Sequence, residues 1–265
     1  MKLKKLIAVA LTAVMTMSLT ACGGGNTTGT TSGGAVDDGK TYNIGICQLV
    51  QHEALDAATK GFKDALTKKL GDKVKFDEQN AQGDSPTCAT IVNSFVSENV
   101  DLILANATAP LQAAATGTTD IPILGTSVTD YGTALNIKDW KGTTGVNVSG
   151  TSDLAPLDQQ AAMIKELFPD KKKVGLLYCS AEANSLYQVE TIKGYLEKDG
   201  YTCTNYSFVD SNDIASVVSN AAKNSDVIYV PTDNTAASNT EVIRNTCVPA
   251  KVPVVAGEQG ICSGC

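Results

Sequence analysis

Asp101-Leu102-Ile103-Leu104 and Asp226-Val227-Ile228-Tyr229 are one pattern written twice: an aspartate, then a short apolar run. Ile44-Gly45-Ile46 precedes the first copy as Val174-Gly175-Leu176 precedes the second, and Ile121-Pro122-Ile123 follows the first as Val252-Pro253-Val254 follows the second. Apolar runs this short read as buried strands. Working outward, the pattern predicts strands at 42–50, 73–79, 102–105, 121–124, 143–148, 174–178, 201–209, 227–230 and 252–256. Between them the apolar residues fall at helical spacing over 53–70, 85–98, 110–116, 155–168, 183–199, 213–222 and 236–247. Strict alternation of strand and helix predicts an α/β protein whose parallel sheets are covered by helices on both faces. The repeat predicts two βαβαβαβ lobes built alike rather than one continuous sheet.

Ahead of the first lobe, Lys2, Lys4 and Lys5 introduce an apolar run over 6–19 that ends in Leu19-Thr20-Ala21-Cys22. That order describes an export signal over 1–21, too short for a membrane span, with Cys22 as the residue that becomes lipidated. The Gly/Ser/Thr-rich stretch that follows makes 22–40 a flexible linker. The expected location is extracytoplasmic, anchored to the cell membrane by a lipid on Cys22. A net charge of −7, more negative once the signal lysines are gone, argues against a nucleic-acid partner. Of the eight cysteines, seven remain beyond Cys22, an odd number at irregular spacing inside apolar segments. Buried free thiols are the expectation. Cys262-Ser263-Gly264-Cys265 lacks the strand-then-helix setting of a redox motif.

Ligands of open parallel sheets bind at the carboxyl ends of the strands. There the chain offers Gln48 and His52, then 80–85 and 106–108, and in the second half 180–185, 210–213 and 232–235, all small and polar. Helix capping accounts for Asp84, Ser85, Ser211 and Asp213. Asn184 and Ser185 open a helix and suit an anionic group such as a carboxylate. Asp233 in the opposing loop could accept hydrogen bonds from an ammonium, so the set would read an amino acid's zwitterion. With His52 the single histidine, and no G-x-S-x-G, Walker or G-x-G-x-x-G motif, neither catalysis, a metal site nor a cofactor is expected. Trp140 falls in a polar stretch, 136–142, read as part of the lobe connection.

Residues 44–66 (IGICQLVQHEALDAATKGFKDAL), 78–84 (EQNAQGD), 102–110 (LILANATAP), 125–130 (GTSVTD), 177–185 (LYCSAEANS) and 229–235 (YVPTDNT) resemble ABC-transporter substrate-binding lipoproteins. That family includes members for tryptophan, phenylalanine and tyrosine. The resemblance implies a type I periplasmic-binding fold of two Rossmann-like lobes, closing on a ligand that is handed to an ABC permease with its ATPase. It puts the pocket on Gln48 and Thr108 in lobe 1 and on Asn184, Ser185 and Asp233 in lobe 2. The lobes are expected at 41–148 and 149–257. Chains of that family continue past Gly257, so the fold is expected to be incomplete at the C-terminus, with 258–265 beginning a return to lobe 1. The expected ligand is an aromatic or hydrophobic amino acid. A ligand sensor for a membrane receptor and a surface hydrolase are the alternatives.

Overall fold

Why the aspartates of the repeat recur is visible at the start of each central strand. Asp101 Oδ2 accepts a hydrogen bond from Asn43 N at 2.8 Å, and Asp226 Oδ2 accepts from Lys172 N and Lys173 N at 3.0 and 2.9 Å. Each carboxylate satisfies a strand-edge donor that would otherwise lack a partner. The Lys40 ammonium and the Asn43 amide hold Asp101 below the usual carboxylate range, and the two lysine amides do the same for Asp226.

The computed structural model describes residues 39–265, so the signal 1–21, Cys22 and nearly all of the linker lie outside the described residues. The first sheet comprises β1 (Tyr42–Gln48), β2 (Val74–Asn80), β3 (Leu102–Asn106), β4 (Ile123–Val128) and β5 (Val148–Ser152) in the order β2-β1-β3-β4-β5. Helices α1 (Glu53–Leu70), α2 (Ser85–Ser97), α3 (Thr108–Gly117) and α4 (Tyr131–Ala134) connect its strands. Then α5 (Leu157–Leu167) leads to β6 (Lys173–Cys179), α6 (Ala183–Lys198), β7 (Thr202–Phe208), α7 (Ile214–Asn224) and β8 (Val227–Val230). The chain continues through α8 (Asn234–Ala237), α9 (Thr240–Ala250), β9 (Val254–Ala256) and α10 (Gln259–Gly264). The second sheet runs β7-β6-β8-β9, and every pairing in both sheets is parallel.

Alternation along the strands sends side chains to two cores per sheet. Ile44, Ile46 and Leu104 pack on Phe62, Leu66 and Leu70 of α1. Cys47, Ile103 and Ala105 face Cys88, Ile91, Val92 and Phe95 of α2 and Leu111 of α3. In the second sheet Leu176 and Tyr229 join Ile164, Val189 and Ile192 of α5 and α6, while Leu177 and Ile228 join Ile214, Val218 and Ile243 of α7 and α9. The paired glycines of the repeat have a steric cause. A Cβ on Gly45 would stand 2.6 Å from the Phe95 ring, and one on Gly175 would collide with Ser225 Oγ. Gly45→Ala is therefore expected to cost about 1–3 kcal/mol, because helix α2 must back away from the sheet. A urea midpoint equal to wild type would contradict that packing.

Several boundaries differ from the sequence reading. The fifth strand lies at Val148–Ser152 rather than 143–148, because Gly142 and Gly145 take positive φ of 82° and 72° and break the extended run. This strand pairs with β4, so the first sheet extends past residue 148, where the sequence reading starts lobe 2. The expected return to lobe 1 over 258–265 is instead α10, packed on β9, α8 and α9 with Ile261 in the second lobe's core. The expected helix 236–247 is split, because the Asn239 side chain donates to Thr235 O at 2.8 Å and its residue opens α9. Trp140 packs on lobe 1, stacked on Tyr131 with ring centroids 6.5 Å apart.

Candidate functional site

The carboxyl ends of both sheets face one cleft. Its walls are His52 and Leu55 at the start of α1, Ser127 near the end of β4, Asp153 after β5, Thr232-Asp233-Asn234 after β8, and Gly257-Glu258 after β9, around a cavity of about 240 Å³. Ser127 is held at φ 54°, a left-handed conformation rare for a residue with a Cβ and common where chains are shaped for ligands. The two lobes touch through His52 Nε2 and Asn234 Oδ1 at 3.2 Å. Since the Asn234 amide nitrogen donates to Glu182, its oxygen must face the imidazole. His52 Nε2 is thereby assigned as the donor.

Glu182 organises the second wall, and sequence reasoning missed it. This carboxylate is 5% exposed and stands at the N-cap of α6. Its Oε2 accepts from Asn234 N, Asn234 Nδ2 and Asn184 Nδ2 at 3.1, 2.7 and 3.1 Å, and its Oε1 accepts from Thr235 N and Thr235 Oγ1, both at 2.8 Å. Five donors converge on one acceptor group, an arrangement that only a carboxylate fills. Gln188, also missed, donates to Thr232 O at 3.0 Å and accepts from Thr232 N at 3.2 Å.

Of the five residues expected to touch ligand, Asp233 lines the cavity and the other four do not. Asn184 and Ser185 are buried beside Glu182, and Asn184 Nδ2 donates to Thr232 O at 3.2 Å, so they brace the wall from behind. Gln48 belongs to a separate network in lobe 1. It donates to Asp56 Oδ1 at 2.7 Å and to Val50 O at 3.0 Å, and its oxygen accepts from Thr59 Oγ1 at 2.6 Å and from Asn106 Nδ2 at 3.4 Å. Thr108 is buried at the first turn of α3. Asp84 is the helix cap expected of it, accepting from Thr87 N at 2.9 Å.

Asp233 is held as a cap as well. Its Oδ2 accepts from Cys179 N at 2.7 Å and its Oδ1 from Ala236 N at 2.8 Å, and the residue is 1% exposed. Burial, and then the nearby Glu182 charge, push its carboxyl up to about 7. Asp153 is solvent-exposed on the cleft wall, yet desolvation first, and the Glu258 charge as a lesser cause, raise its carboxyl as well. The cavity thus carries three carboxyl groups and one imidazole, with no lysine or arginine on its walls. No group of three or more metal-ligating side chains is placed to hold an ion among the described residues.

Two parallel-sheet lobes, with a polar cleft where their strand ends meet, make a type I periplasmic-binding fold, as in the leucine-binding protein of Thermotoga maritima (TM-score 0.60 at 16% identity, over 82% of this chain and 63% of that one). Residues 43–265 match the family model for the ABC transporter substrate binding protein, and the chain belongs to that family. It is a binding protein and not an enzyme. It is 39% identical to the tyrosine-binding protein of Clostridioides difficile over 98% of this chain and 76% of that one. It is similar to a Streptococcus pneumoniae ABC domain in complex with L-Trp, at 36% identity and a TM-score of 0.79 over 84% of this chain and 76% of that one. A ligand-free, open substrate-binding protein with adhesive properties from Clostridium difficile scores 0.57 at 39% identity, covering 83% of this chain and 76% of that one. Substrate-binding proteins of ABC importers work outside the cytoplasm, and no helix among the described residues is long and apolar enough to cross a membrane.

Proposed function

We propose that the cleft binds one amino acid with an aromatic or otherwise hydrophobic side chain, and that lobe closure presents it to an ABC permease and its ATPase. The observation that carries the reading is the acidic wall: Asp153, Asp233 and Glu258 surround a cavity that also offers Ala54, Leu55 and Ala237. An ammonium is the group that such a wall recognises, and the apolar residues suit a hydrocarbon or ring. The chain's similarity to a tyrosine-binding protein and to an L-Trp complex supports the same ligand class. Asp153 is the partner for the ammonium, and Glu258, which also caps α10 through Gly260 N and Ile261 N, and Asp233, which caps α8, add their acidic groups to the wall. Asn184 and Ser185, with Gln48 and Thr108 in the facing lobe, set the position of the walls. Export by the 1–21 signal and a lipid on Cys22 would hold the protein at the membrane, where its permease is.

A thermal-shift screen of the twenty amino acids is the test, because a ligand bound only by the folded state raises the melting temperature. Aromatic or branched apolar amino acids are expected to give the largest rise, and their deaminated keto acids none. Asp153→Asn is expected to weaken the best ligand by roughly tenfold or more, about 1.4 kcal/mol. Equal binding of an amino acid and its keto acid would overturn the ammonium assignment.

A further inference from the structure

His52 stands where a helix is normally capped, yet it caps nothing. It is the N-cap residue of α1, in extended backbone at φ −161°, and its side chain makes no hydrogen bond to the helix that follows. A Ser, Thr, Asn or Asp there would satisfy one of the helix's orphan amides. The imidazole instead reaches across the cleft to Asn234 Oδ1 at 3.2 Å, joining the two lobes.

Asn234 is set for that bond by its own lobe. The residue is buried, and Glu182 Oε2 accepts from both its backbone nitrogen and its side-chain nitrogen, at 3.1 and 2.7 Å. Both bonds lie within the second lobe, so the amide oxygen is presented whether the lobes are together or apart. A side chain fixed in advance loses little freedom when its partner arrives. On the facing wall, His52 has only two side-chain torsions to fix, and its backbone is anchored by Asp56 N, which donates to His52 O at 3.0 Å.

We propose that His52 and Asn234 form a closure latch, a hydrogen bond that holds part of the unliganded population closed and makes His52 a positioning residue that sets affinity through the open–closed equilibrium. No ligand atom takes part in the bond. The apparent affinity for a ligand that prefers the closed state scales with the fraction already closed, so a latch raises affinity without touching the ligand. One net hydrogen bond shifts such an equilibrium by roughly three- to tenfold. A factor of that size biases the lobes without locking them. Both residues line the cavity, so parting the latch also parts its walls. Helix α6 of the second lobe packs on α3 and α4 of the first as well, which gives closure a second source. The latch concerns the lobes and not the identity of what they hold, and it stands apart from the ligand assignment.

The full chain would carry nitroxides at exposed Lys68 on α1 and exposed Glu241 on α9, attached through a keto-bearing amino acid that leaves the native cysteines untouched. Pulsed electron resonance distances, taken with no amino acid added, are expected to show a short and a long separation in the wild-type protein. His52→Ala and Asn234→Ala are each expected to lower the short-to-long ratio roughly three- to tenfold, and the double variant to lower it no further than the singles. His52→Gln, whose amide can still donate, is expected to recover part of the ratio. A second pair at Lys68 and Ser97, both in lobe 1, is expected not to change; should His52→Ala shift it, His52→Leu, which keeps the bulk and loses the donor, decides instead. A single long separation in the wild-type protein would overturn the proposal, as would additive losses in the double variant. So would an unchanged ratio in His52→Ala, which would assign closure to the packing of α6 alone.

Discussion

Glu182→Ala is expected to disorganise the second-lobe wall of the cleft while leaving both sheets intact. The substitution removes the acceptor for five hydrogen bonds and strands the backbone amides of Asn234 and Thr235, with the side-chain amide of Asn234, in a buried setting. Unpaired buried donors of this kind cost about 1–3 kcal/mol each before water relieves them, so a net loss of about 2–4 kcal/mol is expected. Affinity should fall further than stability suggests, roughly tenfold to a hundredfold, because Asn234 both lines the cavity and makes the interlobe contact with His52. Glu182→Gln should recover part of the stability and little of the affinity, since its amide NH2 would meet donors where acceptors are needed. Calorimetric affinity within twofold of wild type for Glu182→Ala would show that the loop is held by other means.

The second large effect is a pH dependence from Asp233. Its carboxyl is raised from an ordinary 3.8 to about 7 in the fold, by burial first and by the Glu182 charge next. Between those values the unfolded chain has lost the proton while the folded one keeps it, so the native state binds more protons. Stability must then fall as pH rises through this window, by on the order of 4 kcal/mol if Asp233 acted alone. Asp233→Asn should flatten the slope over about pH 4–7, whatever it does to the baseline through the amide NH2 it turns toward Cys179 N or Ala236 N. The check is urea unfolding at half-unit pH steps for both proteins. Parallel slopes would mean that Asp233 is ionised throughout and that its two backbone donors outweigh its burial.

These two groups also mark where the sequence stops being legible. The repeat of Asp-Leu-Ile-Leu with Asp-Val-Ile-Tyr points to the parallel sheets, because a strand buried on both faces leaves an apolar run that composition alone reveals. Helix α1 is legible at 53–70 for a similar reason: eighteen residues sample its apolar stripe many times over. Helices α4 and α10 escape a reading by period, since four and six residues are too few for one, and what fixes them is a single capping carboxylate, Asp130 or Glu258. The site is harder still. Asp233 and Glu182 sit in polar loops that look alike in sequence, and the partners that distinguish them are more than fifty residues away, with Glu182 reaching Thr235 and Cys179 donating to Asp233. Asn184 lies in the loop that the sequence singles out, yet its amide faces Glu182 and Thr232 instead of the cavity. Side-chain facing at strand ends is set by tertiary packing, and no local pattern encodes it.

The most direct test of the account is a crystal structure of the chain grown with the amino acid that gives the largest thermal shift. The account predicts one molecule in the cleft, its ammonium within hydrogen-bonding distance of Asp153 and its side chain against Ala54, Leu55 and Ala237. A ligand seated elsewhere, or one whose ammonium turns away from that carboxylate, would contradict it.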